Sequence, residues 1–87
     1  MRSFVDEAGR TWLADAMEES TPRHHGRWDL VFWAEGADDT VFPLPEVRWQ
    51  TRETAARTIM TMSEAELRRR LRTARARRPA AAGAAWR

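Results

Sequence analysis

Apolar side chains in this chain recur at every second position as far as Phe42, and at every third or fourth position after Pro45. That change of period constrains the fold more than any other feature. Alternation marks strands with one buried face, whereas the longer spacing marks helices. A run of strands followed by a run of helices points to an α+β plan. The expected architecture is a small antiparallel β-meander of three to four strands, followed by two C-terminal helices packed on one face.

The strand region reads as follows. Phe4 to Trp12 forms two short strands around a tight turn, with Asp6 at the turn start and Gly9 supplying a positive φ. The second of these runs from Arg10 to Met17. In it Trp12, Ala14 and Ala16 face inward, while Thr11, Leu13, Asp15 and Met17 face out. Glu18 to Gly26 is polar, contains Pro22, and is expected to be a loop. Arg27 to Ala34 is the clearest strand: Trp28, Leu30, Phe32 and Ala34 share one face, and Arg27, Asp29, Val31 and Trp33 the other. After a turn at Glu35–Asp39 comes a short strand, Thr40–Phe42. Pro43 and Pro45 are expected to stop it, because proline cannot donate to a sheet ladder.

Beyond Trp49, which is expected to pin a helix to the sheet, Thr51–Thr54 opens the first helix. Ala55, Ala56, Ile59 and Met60 are expected to share its buried face. Ser63-Glu64-Ala65-Glu66 then reads as a capping box, with Met62 and Leu67 placed as a hydrophobic staple. One small domain over residues 1–74 is expected, with an arginine- and alanine-rich tail over 75–87 that is disordered when free. The chain has no cysteine, so neither disulfides nor thiolate metal sites contribute to its stability. Five Trp and three Phe offset that lack, because each aromatic buries a large area.

Charge divides along the chain. Up to Ser63 there are seven arginines against eleven carboxylates; from Glu64 onward there are eight arginines against Glu64 and Glu66. The calculated isoelectric point near 10.9 overstates this basicity. With no Lys, Tyr or Cys to lose a proton, a formal charge of +2 persists to high pH. At helical spacing Leu67, Leu71 and Ala74 form a narrow apolar stripe. Arg68, Arg72 and Arg75 line one flank and Arg70 and Arg77 the other, with Arg69 at the back. Glu64 and Glu66 stand four residues before Arg68 and Arg70, the favourable order for helix pairs.

Two readings follow. In one, the arginines snorkel over the acidic body, or simply reflect a GC-rich genome. In the other, Arg69, Arg72, Arg75, Arg77 and Arg78 engage an anionic partner through their planar forks. The expected function is a non-catalytic binding module, an accessory or regulatory subunit of a larger assembly. Its partner would be an acidic protein surface or a ribonucleoprotein assembly. The alternative is a nucleic-acid-binding protein using the same arginines on phosphates, although no zinc-finger, RNP-type or helix-turn-helix reader is visible. Trp33 and Trp86 are candidate protein contacts, whereas Trp28 and Phe32 are expected in the core.

A second alternative is a small metal-binding protein or enzyme using His24 and His25, although enzymatic chemistry finds little support. His24 and His25 are adjacent, and a metal-binding or catalytic role for them would need ligands from elsewhere; no metal-binding spacing accompanies them. Asp38-Asp39 suits a turn. No cofactor motif, metal site, nucleophile motif or small-molecule substrate is evident. The first residues carry no run of signal-peptide length, and the longest apolar run, Leu30–Ala34, is far too short to span a membrane. A cytoplasmic protein is expected.

Overall fold

The computed structural model describes residues 1–18, 26–36 and 40–77, together with the backbone of 80–81. Four antiparallel strands come first: β1 Arg2–Val5, β2 Thr11–Glu18, β3 Trp28–Ala34 and β4 Thr40–Trp49. Two helices follow, α1 Arg52–Thr61 and α2 Glu64–Arg75. A two-residue strand, β5 Ala80–Ala81, pairs along Thr40 and Val41. The sheet order is that of the chain, β1-β2-β3-β4-β5, a meander. The α+β architecture is therefore the one the change of period implies. No described helix is long and apolar enough to cross a membrane.

The first hairpin turns on Asp6. Its Oδ1 accepts from the amides of Ala8 and Arg10, both at 2.9 Å, and its Oδ2 accepts from the Trp12 indole at 2.8 Å. Gly9, at φ 86°, takes the left-handed conformation that closes the loop. One carboxylate thus fixes the turn and orients the largest core side chain.

The alternation in β2 and β3 sorts as expected on the helix side. Trp12, Ala14, Leu30, Phe32 and Ala34 are buried together with Phe4, Leu44, Ile59, Met62, Leu67, Leu71 and Ala74 in one core cluster. Full burial of a side chain such as Leu or Phe contributes about 1.5–3 kcal/mol, so the cluster dominates the stability. Phe4 and Phe32 meet edge to face at 5.9 Å, and Trp12 and Phe42 at 5.8 Å. Trp28 is only half-buried, and its indole carries the Arg52 guanidinium at 5.9 Å. On the opposite face Val31 and Asp29 are also buried.

Two boundaries differ from expectation. Neither Pro43 nor Pro45 ends a strand: β4 runs ten residues through both. The pairing with β3 shifts register between Asp29 and Leu30, so that Leu30 faces Leu44 while Asp29 faces Arg48. Pro45 falls in that bulge, and among the described residues Pro43 pairs only with Val31 of β3; a bulge and a strand edge are the two settings that tolerate a missing N–H. In α1 the buried face is narrower than expected. Ala55 and Ile59 are buried, but Ala56 and Met60 are exposed. Met62, beyond the helix end, takes the place in the core.

Candidate anion-binding surface

Helix α2 is built from local signals. Ser63 is its N-cap, and its hydroxyl accepts from the Glu66 amide at 3.1 Å. The other half of the expected capping box differs. The Glu66 carboxylate turns away from Ser63 to Arg70, at 3.0 Å from Nε and 2.8 Å in the ion pair. A guanidinium one turn along satisfies it more strongly than one neutral amide would. Met62 and Leu67 both sit in the core, as the staple requires. Acids in the first turn and Arg72 and Arg75 in the last oppose the helix dipole at both ends.

The Leu67, Leu71 and Ala74 stripe is buried against the sheet, which turns the arginines outward along its edges. Arg68 pairs with Glu64 at 3.4 Å and donates to the Val5 carbonyl at 3.2 Å. Arg69 is 65% exposed and lies 3.9 Å from Glu66, a loose contact. Arg72 is 64% exposed and meets Glu7 at 2.6 Å. The Arg75 guanidinium lies 5.0 Å from the Trp12 ring centroid, and Arg10 lies 5.4 Å from the same ring. Arg77 pairs with Glu46.

The acids that α2 lacks are thus supplied by the sheet. Glu7 comes from the first hairpin and Glu46 from the bulge in β4. The Glu46 carboxyl is held below its ordinary range, chiefly by the hydrogen bond from Arg77. Asp6 is likewise held below its ordinary value, first by the Arg10 amide and next by the Trp12 indole; Arg75 adds a smaller part. The arginines therefore have internal partners, but Arg69, Arg72, Arg75 and Arg77 all remain exposed to solvent.

Sequence reasoning named the arginines and missed Glu7, Trp12 and Glu46 as their partners. No local signal identifies these three, because each lies in a strand or turn far from α2 in sequence. It also missed Arg2, whose Nη1 donates to the carbonyls of Met60 at 3.0 Å and Met62 at 2.9 Å, and approaches that of Ile59 at 3.4 Å. Arg48 and Arg57 are exposed, and neither forms an ion pair among the described residues.

Trp33 is half-buried on the face away from the helices, opposite Leu13 in the register. Arg78, Trp86, His24, His25, Asp38 and Asp39 lie outside the described residues. Among the described residues no group of three or more His, Asp or Glu stands ready to hold a metal ion. No protein-family model, curated protein or solved structure matches the chain.

Proposed function

We propose that this chain is a non-catalytic binding module, an accessory or regulatory subunit that meets an anionic surface of a larger assembly through α2. The observation that supports this reading is the state of its arginines. Arg72 and Arg77 are held at the helix edge by ion pairs whose four side chains are 46–64% exposed. Such pairs are worth about 0–1 kcal/mol each, so a partner that brings its own carboxylates or phosphates exchanges for Glu7 and Glu46 at little cost. Arg69 needs no such exchange, because its contact with Glu66 is already loose. The buried leucine stripe meanwhile holds the backbone rigid, which preserves the spacing of the guanidiniums.

The partner in this reading is an acidic protein surface. Its rival is nucleic acid, engaged by the same arginines. Titration with polyglutamate and with a DNA duplex over a range of salt separates them. The proposed function predicts saturable binding to polyglutamate that weakens with salt and is lost in an Arg69→Gln, Arg72→Gln double variant. Duplex binding with a log–log salt slope of about −4, as four or five phosphate contacts would give, favours the rival. Absence of binding to either at low salt contradicts both.

A further inference from the structure

The two borders of the sheet are finished differently. Along β4 a bulge, Pro43, Pro45 and the short strand β5 break up the edge; such devices guard against strand-to-strand association. The β1 border has none of them. Arg2–Val5 pairs with β2 in unbroken register, contains no proline and ends the sheet. Its four-residue length is its main guard. Its one charged side chain, Arg2, is turned to the end of α1. Among the described residues the exposed large apolar side chains are Met1, Val5 and Met60. All three stand at this border: Met1 precedes β1, Val5 belongs to it, and the Met60 carbonyl accepts from Arg2.

Main-chain groups point outward from this border at Ser3 and Val5. The Glu35 amide donates to the Thr11 carbonyl at 3.1 Å, so Thr11 directs its main-chain groups toward β3. That direction alternates along an antiparallel strand. Val5, opposite Thr11, therefore turns its N–H and C=O away from β2, and Ser3 does the same. The bond from the Asp6 amide to the Arg10 carbonyl, at 2.9 Å, fits this alternation. Arg68 donates to the outward Val5 carbonyl at 3.2 Å, which leaves that oxygen a second lone pair. No described strand pairs along the outer side of β1. Ser3 and Val5 are exposed, and their side chains lie on the face away from the helices, because Phe4 between them is in the core.

We infer that β1 pairs with β1 of a second copy of this chain, antiparallel about a two-fold axis at Phe4, so that two sheets become one. Closed symmetry requires the antiparallel sense, because the same edge is offered by both copies. In this register Ser3 faces Val5 of the second copy and Val5 faces its Ser3. Every outward N–H and C=O of these residues is then met. The two Val5 side chains flank the axis on the open face. Charge agrees with the register. The strand opens on Arg2 and runs into Asp6 and Glu7, so the basic end of each copy lies against the acidic end of the other, with Arg2 opposite Asp6. Arg68 and Glu64, which pair with each other at 3.4 Å near the seam, also bring both signs. The seam is short, which places the dimer among weak, transient interfaces. It uses none of Arg69, Arg72 and Arg77, so the inference stands apart from the anion-binding reading.

The test is the mass of the intact chain by sedimentation equilibrium, from about 10 µM to about 1 mM, with amide NMR over the same range. A monomer–dimer equilibrium with a Kd of roughly 100 µM is expected. The Ser3 and Val5 amides should shift together as the dimer forms. A mixture of labelled and unlabelled chain should show contacts between Ser3 of one copy and Val5 of the other. Val5→Lys sets two like charges beside the axis and should weaken the dimer at least about tenfold. Ser3→Pro removes an outward N–H that β2 does not use and should weaken it as much. Gln50→Lys adds the same charge at an exposed position beyond β4 and should leave the dimer unchanged. The inference is overturned if the chain is monomeric at about 1 mM, if it dimerises with Ser3 and Val5 unshifted, or if Gln50→Lys weakens the dimer as much as Val5→Lys. A monomer whose Ser3 and Val5 amides shift on addition of polyglutamate also overturns it, since the edge then takes a foreign strand.

Discussion

Helices α1 and α2 pack on the same sheet, yet what fixes each lies at different distances along the chain. In α2 the cap, the acids of the first turn, the arginines of the last and the buried stripe all fall between Ser63 and Arg75. In α1 only Ala55 and Ile59 are buried, and no basic residue occupies its last turn. Its C-terminal carbonyls are satisfied instead by Arg2, from the first strand. Both helices carry a local N-cap and bury a stripe on the sheet, but the C-terminal end of the first depends on a distant strand, whereas the second has its own basic residues there.

The largest expected effect tests the shared part of this contrast. Leu67→Ala removes a fully buried side chain and should cost about 2–5 kcal/mol in urea unfolding, as should Ile59→Ala. A small effect at Leu67 would mean that α2 is not docked by its stripe. Next comes the long-range cap. Arg2→Gln should cost about 1–2 kcal/mol, because it leaves carbonyls at the α1 end without a charged donor. Amide exchange should quicken in the last turn of α1 and stay slow in α2. Equal acceleration in both helices would break the distinction between them.

Ser63→Ala removes the side-chain cap of α2 and should cost about 1 kcal/mol, with fraying confined to residues 64–66. A pH effect should be smaller. The folded-state value for Asp6 lies below its ordinary 3.8, so the unfolded chain takes up its proton first. The stability Asp6 contributes is therefore complete well above 3.8 and is lost as the pH falls through the folded value. Glu46 acts in the same sense from its ordinary 4.5. Acid unfolding of the Asp6→Asn variant should show a shallower slope over this range. The smallest effect should come from Glu7→Gln, below about 1 kcal/mol, since it breaks an exposed pair.

Legibility followed the same divide. The Arg27–Ala34 strand, the Asp6–Gly9 turn and the Ser63 cap are local, and the structure reproduces them with shifts of a residue or so at the ends; the strand's alternation holds only on the helix side, because Asp29 and Val31 are buried on the other face and Trp28 is only half-buried. Helix α1 was read as burying Ala56 and Met60 because spacing alone does not show where a helix will be rotated on its sheet. The proline-containing strand was hidden because a bulge depends on the partner strand's register. The arginines were visible as a cluster, but Glu7 and Glu46 were not visible as their counter-ions, since only the folded meander brings them to the helix edge.

The central claim is that the guanidiniums of Arg72 in α2 and Arg77 just beyond it are held in exchangeable pairs and are free to change partner. Arginine Nε–H signals of Arg72 and Arg77, followed by NMR while polyglutamate is added at low salt, test it most directly. The account predicts that both signals shift together toward saturation and return as salt is raised. Signals that stay fixed at every polyanion concentration would show that Glu7 and Glu46 keep their arginines, and would contradict it.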